Sequence, residues 1–524
     1  MHWSEKIAKE IIRKYPDNKE YVCAAGISPS GSVHIGNFRD IATAFFVATA
    51  LRKLGKKSKM LFSWDEYDRL RKIPANVSAA DPSFDRYIGL PYAAAPDPFG
   101  DGHESYARHF EAEFEKALEK FGIELEFRYQ SKKYLAGEYK DEVIFAIDKR
   151  FEIYDIIMEH KTQEASEEEK ASYYPVSIYC DKCGKDDTHI ISVDENHVAK
   201  YKCACGHEGS FDFNIQFNCK LAWKIDWPMR WKYEGVVFEP GGKDHAAPGG
   251  SYDVSKLISK QIFNYEPPVF QGYEFIGIKG SVGKMSGSTG LNLTPDTLLK
   301  VYQPEVILWL YSRNDPMKAF DFCFDDEILR QYFEFDKMLN NYYSGKANNA
   351  VKDIMDVFMP GRPKIDTVPM QLLVSFGPVV NWDPDLLEVL FEKIGSPYKR
   401  EEFLPRLSLA RCWLEFCSPE SIVKLNENKN TAFFDALTDG EKQTIRTLCS
   451  YLRTQSFDLE GMKAMLYRVV TDVFGELENE EKKVRQAQFF RNVYNLLISR
   501  DQGPRLYLFL TAVDKDKIIA LLDF

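Results

Sequence analysis

The stretch from Tyr21 to Asp68 sets out four structural signals in direct succession. "YVCAAG" is a short apolar run that reads as a buried strand ending at Gly26. It runs into "GISPSGSVHIGNF", a loop with glycines at positions 26, 31 and 36. From His34 to Leu54 apolar residues recur at Ile35, Phe38, Ile41, Ala42, Phe45 and Phe46, which puts one apolar face on a helix. "KKSKMLFSWD" is a second strand pattern, and Asp65, Glu66 and Asp68 stand at its end. Strand, helix and strand in that order favour a parallel α/β sheet, with ligands bound beyond the carboxyl ends of its strands. The loop matches neither common phosphate cradle. Ser32 and Val33 stand where a P-loop needs Lys-Ser/Thr, and the glycine spacing is wrong for a dinucleotide fingerprint.

Further along, "EFEKALEKFGIELEF" reads as a helix followed by a strand, and "KTQEASEEEKASYYP" as a linker or a solvated helix end. "VVFEP" and "YEFIGIKG" bring back strand patterns after a cysteine-bearing insertion over 176–219. Beyond about residue 320 long amphipathic stretches such as "DEILRQYFEFDKMLNNYY" and "EKKVRQAQFFRNVYNLLISR" predict an all-helical domain. At 524 residues the chain should divide into about three domains. The 68 basic and 79 acidic residues leave a net charge of −11, which argues against a general nucleic-acid coat while permitting a local basic surface. "MHWSEKIAKEIIRKYP" lacks the apolar centre of a secretory signal, and the longest apolar run, 41–51, falls short of the roughly 20 residues that span a bilayer. A cytoplasmic protein without a membrane partner is expected. Ten cysteines in so long a chain make no disulfide framework.

The helix that starts near His34 offers unpaired N–H groups and a positive dipole end, a setting that stabilises an anionic ligand. Gly36 lets a flat ring approach the backbone, and His34 and Asn37 can donate hydrogen bonds to phosphate oxygens. The bland alternative is a turn whose histidine caps a helix. "IKGSVGKMSGSTG", residues 278–290, has the composition of a loop that can close over phosphates, although taken alone such a loop is more often a flexible surface turn. In the insertion, Cys180 and Cys183 form a CxxC knuckle and Cys203 and Cys205 a CxC pair, a set that suits a closed tetrahedral Zn²⁺ site with no catalytic position. His207 could replace one of the second pair, and a ribbon that has lost its metal is the alternative. "WKIDWPMRW" spaces Trp223, Trp227 and Trp231 four apart, by default a core stripe, but Pro228 is expected to break the helix that would align them. In "GGKDH", His245 reads first as a buried, satisfied histidine.

"HIGN" and "KMSGS", in that order and about 250 residues apart, resemble the paired H-I-G-H and K-M-S-K-S signatures of the class I aminoacyl-tRNA synthetases. "AAGISPSGSVHIGNFRD", "DRLRKIP", "LAWKIDWPMRW", "EPGGKDHAAPGGSYD" and "GPRL" narrow the resemblance to the archaeal-type class I lysyl-tRNA synthetases. The resemblance implies a Rossmann-like parallel-sheet catalytic domain over 1–320 carrying a zinc-ribbon-like insertion, connecting helices over 321–365, and an all-α anticodon-binding domain over 366–524. It further implies activation of L-lysine by ATP with Mg²⁺, then transfer to tRNA(Lys), by a monomer with a structural Zn²⁺. His34, Asn37, Lys284, Ser286 and Ser288 would be catalytic, and Pro29, Ser30, Gly36, Asp244 and Met285 would join His34, Asn37 and Lys284 around ATP. Lysine would meet Gly26, Ser28, Asp65, Asp68, Trp223, His245 and Tyr273, with Glu66 a further acidic candidate, and Arg505 would touch tRNA. Gly287 stands where many class I enzymes have a second lysine, which leaves Lys284 as the main cation of that loop; Lys279 could add some of the missing charge but reads first as a surface lysine. The alternatives are a class I synthetase for glutamate, cysteine or arginine, a small-molecule nucleotidylyltransferase, and a non-catalytic tRNA-binding relative.

Overall fold

Tyr21–Ile27 forms a strand whose residues are almost all buried, as a continuous apolar run needs when it is paired on both edges and covered on both faces. In this computed structural model, which describes residues 1–160, 166–245, 249–280 and 293–524, it is the centre of a five-stranded parallel sheet. The strand order is Val269–Tyr273, Val236–Gly242, Tyr21–Ile27, Ser58–Trp64, Glu126–Tyr129. The chain winds outward from Tyr21–Ile27 in one direction and later returns to add two strands on its other side. The winding therefore reverses between Tyr21–Ile27 and Val236–Gly242, and open parallel sheets bind ligands in the crevice at such a point.

The helix Ile35–Lys53 is buried on nearly every side rather than along one face. It lies on the sheet and is covered in turn by the helices Trp3–Lys14 and Pro304–Ser312, so the single apolar face expected from its spacing becomes a whole apolar surface. Even Arg39 is buried in it. Its guanidinium donates to the carbonyls of Glu274, Asp315 and Lys318 at 2.7, 3.1 and 2.8 Å, which ties two loops to the helix.

The cysteine insertion is rooted in an antiparallel pair, Val176–Ile178 with Cys219–Leu221. Between them Thr188–Val193, Val198–Cys203 and Glu208–Asp212 form a three-stranded antiparallel sheet. Next comes one continuous helix, Trp223–Glu234, with Pro228 inside it, so the expected break does not occur. Proline cannot donate to the carbonyl four residues back, which is that of Lys224. The Ser255 hydroxyl, from the helix Ser251–Gln261, donates to that carbonyl instead at 3.1 Å. Trp223 and Trp227 consequently stack at 5.0 Å, and Trp227 meets Trp231 at 4.9 Å.

These elements, the helices up to Phe322 and the segment Asn341–Arg362 form one compact unit; Cys323–Asn340 and Pro363–Phe524 form a second. The second unit is helical, and its core gathers the apolar faces of Asp439–Thr454, Leu459–Phe474 and Asn479–Ile498. Arg505 is exposed there, immediately before the helix Leu506–Ala512. No helix among the described residues is long and apolar enough to cross a membrane.

Candidate active site

Beyond the carboxyl ends of the central strands lies a cavity of about 1020 Å³. The glycine loop forms one wall through Ser28, Ser30, His34 and Asn37. His34 caps the helix Ile35–Lys53, and its Nδ1 accepts the Gly36 N–H at 3.0 Å. An Nδ1 that accepts carries no proton. Much of the ring is open to the cavity, yet the surrounding protein still lowers its pKa, so the imidazole is neutral with its hydrogen on Nε2. Gly36 serves this arrangement directly, since a Cβ there would stand 2.8 Å from the His34 Cε1. The helix N-terminus is less open than its sequence implies. Ile35 donates its N–H to the Leu293 carbonyl at 2.8 Å and Gly36 donates to His34, leaving the dipole and the side chains to act on a ligand.

The cavity floor is charged. Asp65 pairs with Arg230 at 2.7 Å and Asp68 with Lys220 at 3.0 Å. Both cations also hold Asp226, at 3.1 Å from Arg230 and 3.0 Å from Lys220. Burial works against the Asp226 carboxylate, but those two neighbours keep its pKa below the usual range. Glu66 turns away from the cavity. It accepts the backbone N–H groups of Gln130 and Ser131 at 2.9 and 2.8 Å, and so serves the start of the helix Gln130–Leu135.

Three further acids line the cavity, Asp40, Glu113 and Glu239, and sequence reasoning missed them all; the first and last are the buried ones. Asp40 accepts the Gly26 N–H at 3.2 Å and a hydrogen bond from the Tyr273 hydroxyl, and Glu239 accepts the Trp231 indole N–H at 2.6 Å. Both are buried, and neither forms an ion pair among the described residues. Burial pushes the Asp40 carboxyl well above the ordinary range and the Glu239 carboxyl up to about 7. A readable signal existed for each, because an acid inside an otherwise apolar helix or strand is seldom accidental. Trp223, Trp227, Tyr273 and His245 complete the wall. Pro29, Gly36 and Asp244 do not line it, Lys279 ends the strand Ile276–Lys279, and Lys284, Met285, Ser286 and Ser288 lie outside the described residues.

The four insertion cysteines bring their sulfurs together, with Cys180 to Cys205 at 3.8 Å and Cys183 to Cys203 at 3.6 Å. A tetrahedron with Zn–S bonds of about 2.3 Å has edges of about 3.8 Å, so the set fits Zn²⁺. His207 stays outside the set, with its ring 5.9 Å from that of Tyr201. A second group of ligand-type side chains joins Asp101, His103 and His109, with the His109 Nδ1 3.2 Å from Asp101 and 3.6 Å from Asp97. Its irregular spacing carries no recognisable metal signature, and a borderline cation fits its nitrogen and oxygen donors.

A family model described as tRNA synthetases class I (K) matches residues 1–359. The chain is 34% identical over 532 residues to the lysine–tRNA ligase of Pyrococcus horikoshii, covering 99% of this chain and 98% of that one. It is likewise 34% identical over 534 residues to the lysine–tRNA ligase of Treponema pallidum, covering 100% and 98%. Among solved structures, a glutamate tRNA ligase from Elizabethkingia meningosepticum aligns over 97% of this chain and 99% of that one, at 11% identity and a TM-score of 0.46. With the family match reaching from the first residue past the whole parallel sheet, and both ligases aligned from end to end, this protein belongs to the class I tRNA synthetases, group K.

Proposed function

We propose that the chain is a lysine–tRNA ligase, which joins L-lysine to AMP at the expense of ATP and passes the lysyl group to tRNA(Lys). The observation that carries this reading is Asp40, a buried carboxyl beside open volume with no ion-pair partner among the described residues. An ε-ammonium supplies the missing charge, and the adjoining aromatic rings suit a cation's alkyl stem. Neutral amino acids would leave Asp40 unpaired, which is how such a site rejects them. Asp65 and Asp68, already paired with Arg230 and Lys220, shape the floor beneath the substrate. Gly26, Ser28, Trp223, His245 and Tyr273 enclose the amino acid. The names of the two ligase relatives support the same substrate.

In the first step a lysine carboxylate oxygen attacks the α-phosphorus of ATP, and the bond to the departing pyrophosphate breaks. A hydroxyl of the tRNA's terminal adenosine next attacks the carbonyl carbon of the adenylate, and AMP leaves. Neither step needs a covalent intermediate on the protein, so the contribution is positioning and stabilisation of developing charge. The neutral His34 donates from Nε2 to phosphate oxygens without competing for their protons. Asn37 and the dipole of the helix Ile35–Lys53 act on the same charge. Ser30 lines the cavity and, with Met285, belongs to the ATP surroundings; Pro29, Gly36 and Asp244, which do not line it, shape the backbone beside its lining residues, and Lys284, Ser286 and Ser288 act on the leaving pyrophosphate. Mg²⁺, when bound, neutralises further phosphate charge. The four cysteines would hold Zn²⁺ as a cross-link, and the helical unit would grip the anticodon, with Arg505 the first residue to test.

The test is ATP–pyrophosphate exchange with each of the twenty amino acids, with and without tRNA. Exchange driven by lysine alone is expected. Exchange driven by glutamate, cysteine or arginine, or by none of the twenty with tRNA present, would overturn the reading.

A further inference from the structure

We propose that Arg69 is a positioning residue for the amino acid, and that the cysteine module sets the place of the cavity floor through it. The segment after the strand Ser58–Trp64 carries Asp65 and Asp68 into the cavity. Its next basic residue points the other way: one Arg69 Nη meets Asp186 Oδ1 at 2.6 Å and Asp187 Oδ1 at 2.7 Å. The segment 185–187 that carries those two acids is held by both cysteine knuckles at its ends, and Asp186 itself donates its N–H to the Gly89 carbonyl at 3.0 Å. Cys180 donates its N–H to the Lys185 carbonyl at 2.8 Å, and Ala204, between Cys203 and Cys205, donates to the Asp187 carbonyl at 2.9 Å. A metal that closes the four sulfurs would fix residues 185–187, and through them Arg69.

Two more ties run in parallel. The Tyr179 hydroxyl, next to Cys180, donates to the Tyr67 carbonyl at 2.5 Å, and Lys220, next to Cys219, reaches Asp68 at 3.0 Å. The floor segment has an independent fold anchor as well. Leu70 donates to Leu90 at 2.8 Å, Tyr92 to Asp68 at 3.0 Å and Ala93 to Glu66 at 2.9 Å, all through backbone groups. The segment therefore folds without Arg69. What the guanidinium adds is placement, and small displacements of groups that contact a substrate are costly.

The inference rests on lysine being the substrate. Lysine affinity is read by titration calorimetry without ATP, on the unaltered protein and on Arg69→Ala, each with its metal and after chelation. Metal removal from the unaltered protein is expected to weaken lysine binding about 10-fold. Arg69→Ala should start about 10-fold weaker and lose clearly less on chelation than the unaltered protein does, because the two changes share the Arg69 connection while the parallel ties remain. In exchange assays the loss should fall on the KM for lysine, leaving kcat and the KM for ATP within about 2-fold, and Arg69→Lys should recover most of it. Joint Asp186→Asn and Asp187→Asn replacement in the metal-loaded protein should copy Arg69→Ala, a comparison that does not depend on the metal-free protein staying folded. Unaltered protein that binds glutamate or arginine and no lysine would overturn the substrate reading and this inference together. Lysine binding by Arg69→Ala equal to that of the unaltered protein, or a chelation loss of the same size in both, would overturn this inference alone.

Discussion

In the helical unit Asp336 is buried against Arg406, whose guanidinium donates to both carboxylate oxygens at 2.8 and 2.6 Å and also to the Val368 carbonyl at 2.8 Å. In the sheet unit Asp40 and Glu239 are buried as deeply and line a cavity, with no ion-pair partner among the described residues. Burying a carboxylate is costly in both places. The helical unit offsets the cost within its own chain, through a bidentate pair fixed at synthesis. In the sheet unit burial raises the Asp40 and Glu239 carboxyls with no ion-pair partner among the described residues, whereas at Asp336, which burial raises as well, the Arg406 guanidinium opposes the shift. A closed pair is architecture, whereas an open acid beside empty volume is a binding site.

The largest effect should come from breaking the closed pair. Arg406→Ala leaves Asp336 buried and alone, and should cost about 3 to 5 kcal/mol in thermal or denaturant unfolding while the KM for lysine stays unchanged. If lysine affinity moved with it, the distinction between the two acids would fail. Asp40→Asn is the mirror experiment. Lysine-dependent exchange should fall about 10² to 10³-fold in kcat/KM, as for loss of one partner of a buried charged contact, with stability equal to or above that of the parent. An unchanged rate would mean that Asp40 does not receive the ammonium.

Glu239 sharpens the comparison through pH. Its carboxyl titrates at about 7, so below that pH it is neutral and above it an anion that attracts lysine. The KM for lysine should therefore fall roughly 3- to 10-fold from about pH 6 to about pH 8, and Glu239→Gln should flatten the profile. The stability linkage in the free protein has the opposite sign. Its pKa is raised from 4.5 to about 7 on folding, so its contribution is full below about 4.5 and is lost as pH rises through about 7. Saturating lysine should recover part of that loss, a recovery that the paired Asp336 would not produce.

The smallest effect expected is for Ser255→Ala, which leaves the Lys224 carbonyl inside the helix Trp223–Glu234 without its donor. A loss of about 1 kcal/mol in unfolding free energy is expected, with the stacked tryptophans retained. A drop several times larger, with loss of lysine binding, would show that one hydroxyl holds the whole aromatic wall.

The central strand, the glycine loop and the helix after it could be read directly from residues 21–54, because strand and helix periods and helix capping act between near neighbours. The four cysteines were legible for the same reason, since a knuckle binds a metal through residues two or three apart. Tertiary structure decided everything that depended on a distant partner. Asp65 and Asp68 look like free acids in the sequence, yet the cation that neutralises Asp65 lies 165 residues further along. Asp40 and Glu239 look like minor polar interruptions, and only the assembled sheet shows them buried on the cavity wall without an ion-pair partner among the described residues. Pro228 obeyed no local rule because Ser255, on another helix, accommodated the exception. Hydrogen-bond period and side-chain alternation are properties of a short segment of chain, while charge compensation belongs to whichever segments the fold brings into contact.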